Sequence, residues 1–469
     1  MDRFSTCPDE LLLSIVLHLD RHDLRALALT ARRYRGVAQE ALVTDITLKY
    51  GDYEFALPLL LTTLVERPEF ALKIQIIHSG LPPLSRSCFL ETDRESVTSW
   101  RKVTRQGRAL TQQWQNVTMY RWIHLIRNGD IRACVGLLIL LATQLKHLWL
   151  GCRFRFEELF SQEGLGNALS PSAVPGLRRI TYLFTEAPLL DEERLLSLPQ
   201  LENLEISCIR PYNVWPQMST INTGITSLTV HNTSDMAIPG SNMIGLYSFL
   251  GGFQGLRSLS LMLTNLQRKF SYCPNCPGCQ DCLPDWYSIL TKERPGSFSF
   301  MLEELALVAP LLEELKVASM DPYGDARVNV SAPVDYLKPV DYLVPVDSMK
   351  QFTNLKRLSI PQCAFINTTA ILDAPSPHPL VALPPNLEFL GVYNSTPAVV
   401  DWLSDTVKGD GGKLRPLKKV LLYFENDPKQ QVADYRVAEG EGGRRLFEAG
   451  VLVDCQCRTF TRPAWSDGV

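Results

Sequence analysis

The sequence predicts an α/β protein in which three short helices precede a long array of repeated strand units. Two patterns support this prediction: apolar residues at helical spacing near the N-terminus, and a recurring triplet of apolar residues in the rest of the chain. The composition agrees, because 45% of the 469 residues are hydrophobic and the formal net charge is only −3. A chain of this length can hold one small module and one large body.

Residues 1–48 have the pattern of three consecutive helices. Pro8 suits the first turn of a helix, and Asp9 and Glu10 complement its dipole. Asp23 is the expected N-cap of the second helix. The apolar positions are Leu11, Leu12, Ile15, Val16 and Leu19 in the first helix, Leu24, Leu27 and Ala28 in the second, and Tyr34, Val37, Ala38 and Ala41 in the third. Three helices in about 40 residues bury too small a core alone, so we expect them to pack on the rest of the chain or on another protein.

This segment resembles an F-box through three stretches: Cys7-Pro8-Asp9-Glu10-Leu11-Leu12, Asp23-Leu24-Arg25-Ala26-Leu27 and Ala31-Arg32-Arg33-Tyr34. The resemblance implies docking to a Skp-type adaptor, which links such proteins to a cullin-RING ubiquitin ligase. The contact residues carried over by position are Pro8, Leu11, Leu12, Ile15, Leu19, Leu24, Leu27 and Tyr34. Cys7 replaces the usual leucine and, as a small hydrophobe, should weaken only one contact. The alternative is that residues 1–48 are a helical cap of a larger domain.

The remainder of the chain repeats the template Leu-x-x-Leu-x-Leu. Nine ordered copies are Leu145/Leu148/Leu150, Leu177/Ile180/Tyr182, Leu201/Leu204/Ile206, Ile225/Leu228/Val230, Leu256/Leu259/Leu261, Leu312/Leu315/Val317, Leu355/Leu358/Ile360, Leu387/Leu390/Val392 and Leu417/Val420/Leu422. The first four begin 32, 24 and 24 residues apart, and the last three begin 32 and 30 apart. This spacing is near the period of leucine-rich repeats. We therefore predict an irregular leucine-rich-repeat solenoid over residues 49–460, followed by a tail, 461–469.

In each copy the last two apolar residues should lie on one face of a short strand, and the first should anchor the turn before it. The strands would be parallel on the concave face, with helices outside. Degenerate early copies are predicted at Val43/Ile46/Leu48 and Ala71/Ile74/Ile76, with a helix from Leu59 to Val65 that starts at Pro58. Further helices are predicted over Ile131–Ala142 and Phe300–Ala309, and the second of these includes the extra match Leu302/Leu305/Leu307.

The first of two predicted loop insertions, about 264–296, contains four evenly spaced cysteines. They are Cys273, Cys276, Cys279 and Cys282. Two such pairs can supply four thiolates to a tetrahedral zinc ion. Zinc ribbons usually separate their pairs by about a dozen residues or more, so an exposed cysteine-rich loop is the preferred interpretation. An iron–sulfur cluster is a weaker third interpretation. We predict no cofactor, with zinc at this loop as the alternative. Cys455 and Cys457 fall on a predicted terminal strand.

The second insertion, about 321–349, is a six-residue tandem repeat. Pro-Val-Asp-Tyr-Leu occurs at 333–337 and at 339–343, and Pro-Val-Asp occurs again at 345–347. Proline at this frequency excludes helix and removes backbone donors, so we predict an extended loop. Tyr336 and Tyr342 recur with identical neighbours, which suits a docking strip, but a duplicated surface loop is the preferred interpretation.

The sequence predicts a non-catalytic protein. Motifs for phosphate binding, zinc proteolysis and serine hydrolysis are absent, and we expect His147 and His231 to be structural. A pI of about 6.2 without long basic stripes argues against nucleic acid or a membrane as the main partner. The longest apolar run, Val135–Ala142, is too short to cross a bilayer, and no export signal is visible. We expect a cytoplasmic and/or nuclear protein with reduced thiols.

The resemblance to F-box proteins with leucine-rich repeats implies the substrate-recognition subunit of a Skp-cullin-F-box ubiquitin ligase. The helices would dock the adaptor, and the solenoid would hold an unknown protein substrate close to the ligase. The irregular repeats are similar to those of divergent F-box proteins of filamentous fungi. One alternative is an interaction scaffold without a ligase role. Another is a metal-binding or redox protein centred on Cys273 to Cys282.

Overall fold

The computed structural model describes the chain in separate segments. The described residues are 7–49, 52–80, 94–111, 117–151, 159, 174–185, 196, 198–207, 224–231, 249–264, 298–320, 345–366, 376–393, 395–408, 416–424 and 440–457. The cysteine loop, the tandem copies at 333–343 and the tail lie outside them. The chain divides into two compact units, Met1–Leu204 with Asp467–Val469, and Glu205–Ser466. In the described segments, no helix combines the length and apolar character needed to span a membrane.

The first unit begins with three helices that lead into parallel strands. Its elements are α1 (Asp9–Val16), α2 (Arg21–Thr30), α3 (Arg32–Thr44), β1 (Asp45–Leu48), α4 (Asp52–Glu66), α5 (Pro68–Ala71), β2 (Ile76–Ser79), α6 (Arg94–Thr111), α7 (Val117–Arg127), α8 (Ile131–Leu141), β3 (His147–Leu150) and β4 (Tyr182–Thr185). Strands β1 to β4 pair in parallel in chain order. Strand β5 (Asn203–Ser207) spans the boundary between the units.

The second unit continues the alternation of strands and helices. Its elements are β6 (Ser227–His231), β7 (Ser258–Thr264), α9 (Phe298–Glu304), β8 (Glu314–Met320), β9 (Arg357–Pro361), α10 (Pro379–Ala382), β10 (Phe389–Tyr393), α11 (Ala398–Lys408), β11 (Lys419–Phe424), α12 (Glu441–Glu448) and β12 (Leu452–Cys457). Strands β6 to β12 also pair in parallel in chain order. The predicted α/β class with parallel strands is therefore confirmed, as is a strand at Cys455 and Cys457.

The template residues form the buried face of most strands, as predicted. The buried strand positions of eight copies are Leu148, Leu150, Leu204, Ile206, Leu228, Val230, Leu259, Leu261, Leu315, Val317, Leu358, Ile360, Leu390, Val392, Val420 and Leu422. Alternate residues of a strand point to opposite faces, so two apolar residues spaced by two fill one face. The degenerate copy Val43/Ile46/Leu48 behaves likewise, since Ile46 and Leu48 are buried on β1.

The copy predicted at Leu177/Ile180/Tyr182 is wrong in register by three residues. Strand β4 pairs Leu183 with Leu148 and Thr185 with Leu150, so Leu183 and Thr185 occupy the buried strand positions. Leu177 lies in a 3-10 turn before the strand. The template failed here because a buried threonine takes a position where most other copies have an aliphatic residue.

The copy predicted at Ala71/Ile74/Ile76 is shifted in the same way. Strand β2 pairs Ile77 with Ile46 and Ser79 with Leu48. Ser79 is fully buried, and its hydroxyl forms a 2.9 Å hydrogen bond with the hydroxyl of Tyr53 on α4. A hydroxyl that has a partner can replace leucine in the core, and a search for apolar residues cannot recognise it.

Two predicted helix boundaries also differ from the structure. Pro58 lies inside α4, which begins at Asp52, and the Asp52 carboxylate accepts the Lys49 N–H at 2.8 Å. Helix α9 ends at Glu304, so the predicted end at Ala309 is wrong and the residues after it form turns. Helix α8 confirms the helix predicted before Leu145.

A repeated backbone junction precedes the strands. The carbonyl of Lys356 accepts the N–H groups of Glu388 and Phe389 at 2.8 and 2.9 Å, and the carbonyl of Glu388 accepts those of Lys418 and Lys419 at 2.9 and 3.1 Å. The same double acceptance occurs at the carbonyls of Gln75, Lys146, Thr181, Thr226, Arg257 and Glu313. At these junctions, backbone hydrogen bonds alone fix the residue at which the next strand begins.

In the second unit, the side chains at these junctions alternate in charge. The sequence along the array is Arg257, Glu313, Lys356, Glu388 and Lys418. Glu313 lies 3.0 Å from Lys356, and Glu388 lies 2.6 Å from Lys418. The hydrogen bonds from these lysines lower the pKa of both carboxyls. Exposed ion pairs add little stability, and here they place opposite charges side by side at neighbouring junctions.

Replacing Lys418 with methionine should raise the pKa of Glu388 towards its usual value of 4.5. A carboxyl whose pKa is lower in the folded than in the unfolded state stabilises the fold at pH values above its unfolded-state pKa, and this stabilisation is lost as pH falls through its folded-state pKa. The wild type should therefore be more stable than the variant near pH 7. The difference should shrink below about pH 4.5. Carboxyl NMR titration and denaturant unfolding measure both effects. Lys350→Met is the control, and an unchanged Glu388 pKa would contradict the ion pair.

The substitution Gly136→Ala should destabilise the first unit by about 1 to 3 kcal/mol or more. A methyl group at Gly136 on α8 would overlap the carbonyl oxygen of Leu159, which also accepts the indole N–H of Trp122 at 2.6 Å. Gly36→Ala on α3 is the control, because its methyl group meets no atom within 4 Å and should stabilise the helix by about 0.5 to 1 kcal/mol. Equal unfolding free energies for the two variants would be inconsistent with this packing.

Candidate functional site

The three N-terminal helices form a module with a small core of its own. The buried core residues are Leu12, Val16, Leu24, Val37 and Ala41. Half-buried residues around them are Cys7, Leu13, Leu27, Tyr34 and Leu42. All three helices lie where the apolar spacing predicts them.

Two arginines fix the module in place. Arg33 on α3 contacts the Asp9 carboxylate at 3.2 Å and donates to the carbonyl of Cys7, so it holds the start of α1. Arg21 on α2 donates to the carbonyls of Thr47 and Asp45 on β1 at 2.9 and 3.3 Å. Strand β1 follows α3 without a loop and uses its other edge to pair with β2. Arg21 therefore satisfies strand carbonyls and joins the module to the sheet.

The N-cap of α2 is Asp20, not the predicted Asp23. The Asp20 carboxylate accepts the N–H of Asp23 at 2.7 Å, and helix α2 begins at Arg21. Both aspartates suit a cap by residue type, and only the backbone conformation distinguishes them: Asp20 is extended, whereas Asp23 is already helical.

The predicted contact residues divide between the core and the surface. Leu12 and Leu24 are only 3% and 5% exposed, so they hold the helices together and are not accessible to a partner. Leu11 and Ile15 are 56% and 45% exposed and lie one helical turn apart. With the exposed residues Pro8 and Leu19 they form what we call the α1 strip: Pro8, Leu11, Ile15 and Leu19. The remaining two, Leu27 and Tyr34, are half-buried beside the core.

Two further exposed leucines of the module are absent from the predicted contact set. Leu17, just after α1, and Leu29 on α2 are 52% and 81% exposed. Their apolar character is visible in the sequence, but neither the helical spacing nor the resemblance distinguishes them from core residues.

No described group of side chains forms a convincing metal centre. The four predicted cysteine ligands lie outside the described residues. Asp20, His22 and Asp23 bring their ligand atoms close together, but all three are exposed and Asp20 already caps α2. Exposed acidic groups of this kind are common without an ion.

Several buried polar groups in the described segments have partners that explain them structurally, whereas the buried Oγ of Ser260 on β7 has no hydrogen-bond partner. Tyr53 donates to the carbonyl of Gly80 at 2.8 Å, and burial raises the pKa of its hydroxyl, which keeps it protonated. His231 is buried and lies 2.5 Å from the Glu205 carboxylate. Burial lowers the pKa of His78, which contacts the ring of Trp149.

Leu12→Ala should destabilise the module by about 2 to 5 kcal/mol, since it leaves a cavity in a small core. Leu11→Ala is the matched control one residue away and should change the free energy of unfolding by less than about 0.5 kcal/mol. Denaturant unfolding, followed by amide exchange in α1 to α3, measures the difference. Similar losses for the two variants would mean that Leu11 is buried.

No protein-family model matches the chain, and no curated protein matches its sequence. Function is therefore inferred from the residues themselves: the three-helix module, the α1 strip and the parallel strand array.

Proposed function

We propose that the protein is the substrate-recognition subunit of a Skp-cullin-F-box ubiquitin ligase. The α1 strip docks a Skp-type adaptor, and the strand array is an irregular leucine-rich-repeat solenoid that holds a protein substrate. The protein acts in the cytoplasm and/or nucleus as a non-catalytic receptor, without a cofactor and without nucleic acid or a membrane as its main partner. Its contribution to ubiquitin transfer is proximity between substrate and ligase.

The observation that carries this proposal is that α1 is apolar on two sides. On one side, Leu12 and Val16 are buried in the module core. On the other side, Leu11 and Ile15 are exposed. Pro8, the N-cap of α1, and Leu19, three residues after the end of α1, are exposed as well. Leu11 and Ile15 themselves have the spacing expected of a helix that binds in an apolar groove. Contiguous exposed apolar residues on a folded protein mark interaction sites. The α1 strip therefore favours binding to a partner that has a complementary apolar surface.

The strand array supports a receptor role through the sheet face opposite the template leucines. Strand pairing places Ser258, Glu314, Arg357, Phe389 and Lys419 in one row across β7 to β11. The guanidinium of Arg357 lies 4.7 Å from the centre of the Phe389 ring. A row that mixes charge, hydroxyl and aromatic surface can recognise a folded partner over several strands.

The double variant Leu11→Asp/Ile15→Asp should weaken binding of a purified Skp-type adaptor by about 100-fold or more, because the interface would bury unpaired carboxylates. Leu307→Asp is the control, since Leu307 is 70% exposed and lies in the second unit. Isothermal titration of the full chain and both variants measures adaptor affinity, and circular dichroism checks that each is folded.

Two results would overturn the proposal. The first is no adaptor binding by the folded wild type, or equal binding by the double variant. The second is adaptor binding without co-purification of cullin from a lysate that contains the assembled ligase. That second result would favour an interaction scaffold without a ligase role.

A further inference from the structure

The third copy of the tandem repeat is held in a site on the second unit. The N–H of Val346 donates to the carbonyl of Ala364 at 2.8 Å, and the Val346 side chain is only 1% exposed. The N–H of Asp347 donates to Ser299 Oγ at 3.0 Å. The same oxygen lies 3.4 Å from both the Pro345 carbonyl and the Asp347 carboxylate. We call Ser299 and Ala364, with the pocket that buries Val346, the Pro-Val-Asp seat.

Every group that the seat contacts belongs to the three residues that the tandem copies share. These are the proline carbonyl, the valine N–H and side chain, and the aspartate N–H and carboxylate. The sequences at 333–335 and 339–341 are identical to 345–347 in all three residues. Direct contacts therefore cannot distinguish one copy from another. Only the length of the connection to the rest of the chain can distinguish one copy from another.

That connection explains why the third copy is seated. A single residue, Ser348, separates Asp347 from Met349, which is buried and donates its N–H to the carbonyl of Ala382 at 3.1 Å. When the third copy occupies the seat, no additional loop has to be closed between the seat and Met349. Seating an earlier copy adds six or twelve residues to this connection, and the entropic cost of such a loop grows only slowly with its length.

We propose that the seat is a binding site for an extended Pro-Val-Asp segment, and that the copies at 333–335 and 339–341 are alternative occupants that exchange with 345–347 in six-residue steps. With 339–341 seated, residues 321–338 still join β8 to the seat, and an extended chain of that length reaches about 60 Å. Each step transfers six residues from one side of the seat to the other, so the lengths of the two flanking segments become adjustable. The inference does not depend on the proposed ligase role.

Amide hydrogen exchange of the full chain tests the exchange of copies. In Val346→Asp, which would place a carboxylate in the buried pocket, we expect protection to fall by about tenfold or more at 346–347 and to rise by a similar factor at 340–341. The matched control Val334→Asp/Val340→Asp should leave 346–347 protected. The triple variant should lose protection at all three copies. Loss at 346–347 without a gain at an earlier copy would overturn the proposal, as would unchanged protection in Val346→Asp.

A deletion tests, without introducing a buried charge, whether Pro-Val-Asp joined to Ser348 is enough for seating when Lys338 instead of Val344 precedes it. Removing residues 342–347 joins Asp341 directly to Ser348, so the second copy takes the chain position of the third. We expect this variant to protect the amides of Val340 and Asp341 as strongly as the wild type protects those of Val346 and Asp347. Adding Val340→Asp to the deletion should abolish that protection. Weak protection in the deletion variant alone would show that the seat does not recognise Pro-Val-Asp as such.

Discussion

The junction between successive strand units is the constraint on which the rest of the structure depends. At eight of the described junctions one carbonyl before a strand, such as that of Lys356, accepts two N–H groups of the next repeat, while the template residues of both repeats are buried on the same face. Backbone groups set the start of the strand, and apolar burial sets its face. Because neither requirement involves the connecting segments, units separated by 24 or 32 residues fit the same array.

The start of the strand array also determines where the three-helix module is attached. Helix α3 runs directly into β1, and Arg21 donates to carbonyls of that strand, so the module is continuous with the first strand of the array. The module core is small, and Arg33 supplements it by holding the start of α1. Helix α1 is therefore fixed through contacts on one side only. The apolar residues on its other side remain exposed, which is the physical basis for the proposal that they contact a partner.

The two strands that sequence reasoning misplaced share a physical cause. Apolar spacing located most strands, but it misplaced β2 and β4 because Ser79 and Thr185 occupy buried positions. A hydroxyl with a hydrogen-bond partner costs little to bury, and that partner, such as Tyr53, can be distant in sequence. The N-cap at Asp20 was missed because two aspartates of the same turn satisfy the same residue preference.

The sequence by itself determined the α/β class, the three N-terminal helices and the strands of most template copies, because periodicity and residue type are local properties. Only the tertiary structure decided that Leu12 is core and Leu11 is surface, since helical spacing defines two faces but not what each face contacts. It also decided which of three identical Pro-Val-Asp copies is seated. That choice depends on the short connection to Met349, and a pattern of residues alone cannot specify it.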